Sequence, residues 1–272
     1  MTLKPLRKLA SESSPSLKYP ALFLGHGSPM NAIEENEFVK GWRKAGNELP
    51  KPQAILCISA HWETKGTMVT AMETPKTIHD FYGFPKSLFE VEYPAPGSPE
   101  LATETQKSIS GAEIGLNYEW GLDHGSWSVV KHLFPNADIP VVQMSLDYTQ
   151  PASYHYNLAK EINSLRRKGV LIIGSGNMVH NLRIIDWKKP NEGFDWAIEA
   201  NAKLKQFILD KDHQSLINYQ TKGKEIQLSV PTPEHYLPLL YVLALQEGGE
   251  EVSLFNDKTI MGSISMTSLR IN

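Results

Sequence analysis

Nine histidines are spread through the 272 residues, and several stand where a rigid scaffold would present them. His26 ends the apolar run ALFLGH and is followed by Gly27-Ser28-Pro29. His61 ends ILCISAH, His180 comes six residues after VLIIG, and His235 closes VPTPEH ahead of an apolar stretch. Neutral imidazole is the commonest metal-binding side chain and suits zinc, iron and copper. One histidine beside a strand is ordinarily a satisfied polar residue. Four in equivalent settings, each beside Gly, Ser, Asn or Pro, point to a convergent set. Their spacing matches no short zinc pattern, with neither His-x-x-x-His nor a cysteine pair. His124, in GLDHGSWSVVKHLFP (121–135), is a fifth candidate, because Gly125 allows close backbone approach to a ligand. His79 lies in TIHDFYGFP with Phe81, Tyr82 and Phe84, a loop that could wall an aromatic substrate or pack on the core. His132 reads as structural, and His155 and His213 as solvated.

The elements that must hold these residues follow an α/β pattern. ALFLG (21–25), QAILCISA (53–60), IPVVQMSL (139–146) and GVLIIGSG (169–176) are short apolar runs bounded by turn residues. They read as buried strands of a sheet covered on both faces, whose carboxyl ends are where ligands bind. Helical spacing is expected over 33–49, 152–168, 194–209 and 236–246, with Gly169 as a C-cap. Ser98-Pro99-Glu100 is a helix start, and Ser126 is the expected cap of the helix after His124. GSGNMVH (174–180) reads as a loop free to bring His180 to a substrate. The tail TIMGSISMTSLRI (259–271) alternates like a last strand, expected at an antiparallel edge. The architecture predicted is α/β: a single domain, residues 20–272, with a central mostly parallel or mixed sheet flanked by helices. Residues 1–19 read as a flexible N-terminal tail.

Composition removes several function classes. With 27 Lys+Arg against 30 Asp+Glu, the net charge of −3 lacks the footprint of a nucleic-acid binder. No run of 18 apolar residues marks a membrane span. Residues 1–19 contain no apolar segment of signal-peptide length. The one cysteine, Cys57, excludes a disulfide-stapled secreted scaffold and fits a reducing, cytoplasmic compartment.

Taken together, GHGSPMNA (25–32), SAHWET (59–64), TIHDFYGFP (77–85), YPAPGSP (93–99), GLDHGSW (121–127), GSGNMVHNLR (174–183) and VPTPEHYLPLLY (230–241) are specific. They resemble the LigB-type class III extradiol ring-cleavage dioxygenases, most closely the DOPA 4,5-dioxygenase branch with its bacterial members. The resemblance covers nearly the whole chain beyond the tail. It implies one α/β domain with a non-haem metal at an edge of the sheet. It implies His26, His61 and His235 as metal ligands, His180 as catalytic base or fourth ligand, and His124 on the substrate side. Protocatechuate-type relatives use a glutamate as third ligand. Glu234 is the nearby carboxylate here, and His235 is preferred because the closer branch uses histidine.

Such a site would take one divalent metal ion. Fe(II) with three protein ligands leaves room for a catechol and O2 together, while Zn(II) is expected in isolated protein. Three neutral histidines leave a charge of about +2, which a dianionic catecholate neutralises. Two other classes remain open at this stage. One is a zinc hydrolase, and the other is a non-enzymatic binding protein on the same fold. Oligomeric state is not legible in the sequence.

Overall fold

The computed structural model describes residues 18–272, so the expected tail through residue 17 lies outside the described residues. The first two described residues are bonded: Lys18 Nζ meets Glu247 and Glu250, and Tyr19 exchanges backbone and side-chain bonds with Arg166. From there the chain enters β1 (Ala21–Gly25), buried along its whole length, and crosses through α1 (Glu37–Asn47) to β2 (Ala54–Thr64). Asn36 caps α1 by accepting from the amides of Phe38 and Val39, so the helix starts four residues later than its apolar spacing indicated. A short region follows with β3 (Thr67–Thr70), β4 (Lys76–Thr77), α2 (Lys86–Phe89), α3 (Pro99–Ser108), β5 (Ile114–Asn117) and β6 (Gly121–Leu122). Ser98 caps α3 with Pro99 in its first turn, as predicted.

The remaining elements are α4 (His124–Leu133), β7 (Val141–Asp147), α5 (Ala152–Glu161), β8 (Val170–Gly176), α6 (Asp195–Leu209), α7 (His213–Ile217), α8 (Lys224–Ser229) and α9 (Leu237–Leu243). The helix expected over 152–168 splits: after α5 the chain tightens into a 3-10 turn at Asn163–Lys168 and stops at Gly169, φ 77°. The tail forms β9 (Val252–Phe255), then a β10 (Thr259–Ile260) and β11 (Ile264–Ser265) hairpin, then β12 (Ser268–Ile271).

Eight strands form one mixed sheet in the order β5-β3-β7-β2-β8-β1-β12-β9. The central four, β7, β2, β8 and β1, are parallel. The expected last strand is therefore three pieces, and β12 is interior, antiparallel to both β1 and β9. Met261 and Gly262 at positive φ break the alternating run. Along each central strand side chains divide by parity. Phe23, Leu56, Ile58 and Ile172 join the core beneath α3, α5, α6 and α9. Leu22, Leu24, Ile55, Cys57 and Ile173 join the core beneath α1 and α4, around Trp42 and Trp127. Burial on both faces explains why these strands read as unbroken apolar runs.

For the site, the decisive feature is the position of β8. It lies between β1 and β2 with Gly25 opposite Gly176 and Ser59 opposite Ser175. The carboxyl ends of three strands distant in sequence therefore sit side by side. His155, expected in solvent, is fully buried where α5 packs on α9, with Nδ1 at 3.1 Å from Tyr241 OH. His213 is half-buried and bonded to Tyr156 and Gln246. His132 is structural, as predicted: its Nε2 meets Asn31 O at 2.8 Å.

Candidate metal centre

Five histidines converge at the shared end of β1, β2 and β8. His26 follows β1, and its N–H donates to Gly176 O at 3.1 Å, which ties it to the end of β8. Its Nδ1 lies 3.0 Å from Ser175 Oγ. His61 is not at a strand end but inside β2, where the pairing with β7 jumps from Ile58↔Met144 to Glu63↔Leu146. An irregularity of this kind re-aims side chains locally. His124 opens α4, whose cap is Asp123 rather than the expected Ser126: Asp123 accepts from the Ser126 amide. Gly125 is required there, because a Cβ would lie 2.5 Å from Ser59 Oγ and 2.7 Å from His61 Cδ2. His235 precedes α9, and Asn177 N donates to its carbonyl at 2.8 Å. Gly176 permits that approach, since a Cβ would stand 2.2 Å from the same oxygen.

His180 is held rather than free, contrary to the mobile loop expected. Its N–H donates to Ser229 O at 2.9 Å, it bridges to Ile264, and Asn177 and Asn181 bond to Ser265 O, Leu228 O and the Ser263 carbonyl. Its ring stacks on that of His235, centroids 3.5 Å apart and 10° from parallel. The rings of His61 and His124 are 3.8 Å apart, and those of His26 and His235 are 5.3 Å apart. Donor atoms fall into two adjoining groups, His26-His61-His124 and His180-Glu234-His235, each within 4.8 Å internally. His26, His124 and His235 are buried, while His61 and His180 are half-buried and open the pocket to solvent.

The arrangement fits a metal. Three rings have Nδ1 beside an oxygen: His26 beside Ser175, His124 beside Asp80 at 2.9 Å, and His235 beside Glu234 at 3.1 Å. Outer partners of this kind set which nitrogen is left bare. The Nε2 atoms of His26 and His61 face each other at 3.2 Å. Two nitrogens sharing one cation at about 2.0–2.1 Å stand roughly 3.0–3.4 Å apart. Burial, and then the neighbouring histidines, holds His26, His61 and His235 far below the usual imidazole pKa, although Asp80 opposes this at His61. Burial and then His124 bring His180 down to about 4. At neutral pH these four rings are unprotonated, the form that binds metals.

Two carboxylates support the cluster from beneath. Burial opposes ionisation of Asp80, but the hydrogen bonds from the His124 ring and backbone N–H outweigh it and lower its pKa. Asp123 is fully buried, accepts from Ser59 Oγ, Gln143 Nε2 and the Ser126 amide, and has its pKa raised by burial and by Asp80. Neither acid, nor Ser59 or Ser175, emerged from the sequence reading. Asp80, a lone acid within the aromatic TIHDFYGFP, was the available signal. His79 is in the loop but engaged elsewhere, with Nε2 on Val91 O at 2.9 Å and its ring 5.7 Å from Trp127. The loop residue that reaches the cluster is Phe81, edge-on to His124 with centroids 5.5 Å apart.

Residues 20–264 match the family described as the catalytic LigB subunit of aromatic ring-opening dioxygenase. The chain belongs to the LigB family. It is 46% identical to a 4,5-DOPA dioxygenase extradiol of Escherichia coli (strain K12), covering 94% of this chain and 96% of that one. A protein of the same name from Portulaca grandiflora is 39% identical, covering 85% of this chain and 87% of the plant protein. The crystal structure of an uncharacterized protein from Escherichia coli K12 superposes with a TM-score of 0.82 at 43% identity, covering 93% of this chain and all of that one. The mixed sheet is thus that of a LigB-type fold.

Proposed function

We propose that this LigB-family enzyme is an extradiol dioxygenase that opens a catechol ring with O2, with DOPA-like catechols as its substrate class. The observation that carries the reading is the convergence of five histidines, with the His26 and His61 Nε2 atoms 3.2 Å apart. In this reading His26, His61 and His235 hold one divalent metal, His180 is the base or a fourth ligand, and His124 lines the substrate side. Fe(II) is the active metal and Zn(II) the form expected on isolation. When bound, the iron supplies redox chemistry and a Lewis-acid contact for the catechol oxygens and O2.

The chain's own residues do the rest. His180, neutral at pH 7 because its pKa sits near 4, can accept the second phenolic proton at its ring. The negative charge of an arriving catecholate favours the protonated imidazole and so assists the transfer. His124, its ring tilted against that of His61 with centroids 3.8 Å apart, is the candidate to return a proton to the opening ring. Phe81 offers an apolar wall, and the layer of buried side chains behind His26 and His235 keeps water from that side. The single buried cysteine fits a reducing compartment, and we place the enzyme in the cytoplasm.

The test is anaerobic Fe(II) reconstitution followed by a panel of catechols, read by oxygen electrode and absorbance. Equal consumption of O2 and catechol with a yellow semialdehyde-derived product is expected, with the zinc form silent. A fully Fe(II)-loaded sample that consumes no oxygen with any catechol, while the zinc form hydrolyses esters, replaces this reading with a zinc hydrolase.

A further inference from the structure

One carboxylate joins the aromatic loop to the histidine pocket, and no role proposed above uses it. Asp80 Oδ1 accepts from the backbone N–H of His124 at 2.8 Å, and Oδ2 lies 2.9 Å from His124 Nδ1. The same Oδ2 is 3.7 Å from His61 Nδ1. An ionised carboxylate only accepts, so the ring contact requires the proton on Nδ1. That turns Nε2 toward the pocket, and in the neutral ring Nε2 is the bare nitrogen. We propose that Asp80 is a positioning residue for the ring opening: it grips the backbone and the ring of His124 at once, and so fixes both the tautomer and the orientation of that ring. The same grip anchors the loop that sets Phe81 against His124. This inference rests on the dioxygenase reading for its kinetic consequence, but not for the tautomer itself.

In Asp80→Asn the backbone N–H of His124 still demands an acceptor, so the amide oxygen must remain there. The amide NH2 then faces Nδ1, and the ring must carry its proton on Nε2 instead. A carboxylate-to-amide change behind a histidine is known to act through the wrong tautomer in serine proteases.

The experiment uses zinc-loaded protein with histidine labelled in the ring by 15N and 13C. The His124 signals are identified by their absence in His124→Gln. Wild type should show the Nδ1–H tautomer, a measurement that needs no Asp80 variant to fold. Asp80→Asn should show Nε2–H, and Asp80→Glu should keep Nδ1–H. In Fe(II)-reconstituted protein with a catechol, Asp80→Asn should lower kcat about 10- to 100-fold with little change in KM and undiminished metal, and Asp80→Glu should recover part of it. An Nε2–H tautomer in wild type, or an unchanged tautomer in Asp80→Asn, overturns the proposal. So does metal loss in Asp80→Asn, which would make Asp80 a support of His61. Absence of oxygen uptake in wild type sinks the dioxygenase reading while the tautomer measurements still decide this one.

Discussion

His155 and the pocket histidines share almost every property that marks a functional imidazole, yet only one group forms a site. His155 is fully buried between α5 and α9, and burial lowers its pKa to about 4, the same value as His180. Its neighbours are Tyr241 and Tyr154, which pack edgewise or at a tilt, and Asp147, whose charge opposes the shift without overcoming burial. In the pocket, by contrast, the Nε2 atoms of His26 and His61 meet at 3.2 Å, and the donor atoms of five histidines and Glu234 gather into two adjoining groups. A perturbed pKa is therefore produced equally by packing and by function. What separates the two regions is convergence: the ends of β1 and β8, the interior of β2, the start of α4 and the segment before α9 deliver donors to one space, whereas a single helix delivers His155.

The largest effect that could break this comparison is loss of metal. His26→Ala, His61→Ala and His235→Ala should each lose most of the bound ion by elemental analysis, while His155→Gln and His132→Gln keep it in full. Stoichiometric metal in all three pocket variants would show that the ligand set is wrong. A smaller effect separates roles within the pocket. His180→Ala should retain much of its metal and lose about 10²–10⁴ in rate, the usual range for a general base. Metal loss as complete as in His61→Ala would make His180 a fourth ligand, to which its stacking on His235 brings it close enough.

The sequence exposed the central sheet well because its strands are buried on both faces and read as bare apolar runs. It also exposed the five histidines, since each is set beside turn residues or an apolar run. What it hid was carried by long-range pairing. Nothing local says that β8 inserts between β1 and β2, or that the β2–β7 register breaks around His61. Asp80 and Asp123 carry no local mark of their roles, because the partners that define them, His124 and Gln143, are 44 and 20 residues away. The interior place of β12 was missed for the same reason: alternation reports a covered face and an open one, not how many neighbours a strand has. His155 was misread because a polar residue on a helix is expected to face water, and its acceptance into the core depends on Tyr241, 86 residues away.

The smallest effect tests the packing side of the comparison, through the pH dependence of stability. In the folded protein His155 titrates near 4, whereas in the unfolded chain an imidazole titrates near 6.5. Between these values the unfolded chain holds a proton that the folded one does not. Acid therefore favours unfolding, and stability rises with pH across that window. A shift of this size corresponds to roughly 3 kcal/mol between pH 7 and pH 4 for this one group. His155→Phe removes the titration and costs the Tyr241 contact, a loss that does not change with pH. Metal-free wild type and variant should then be unfolded in urea at several pH values. The wild type should be the more stable at pH 7, and the gap should shrink or reverse as the pH falls toward 4, because only the wild type loses the His155 contribution. Parallel curves would mean that His155 is protonated in the folded protein, and that its burial is not the neutral packing that distinguishes it from the pocket.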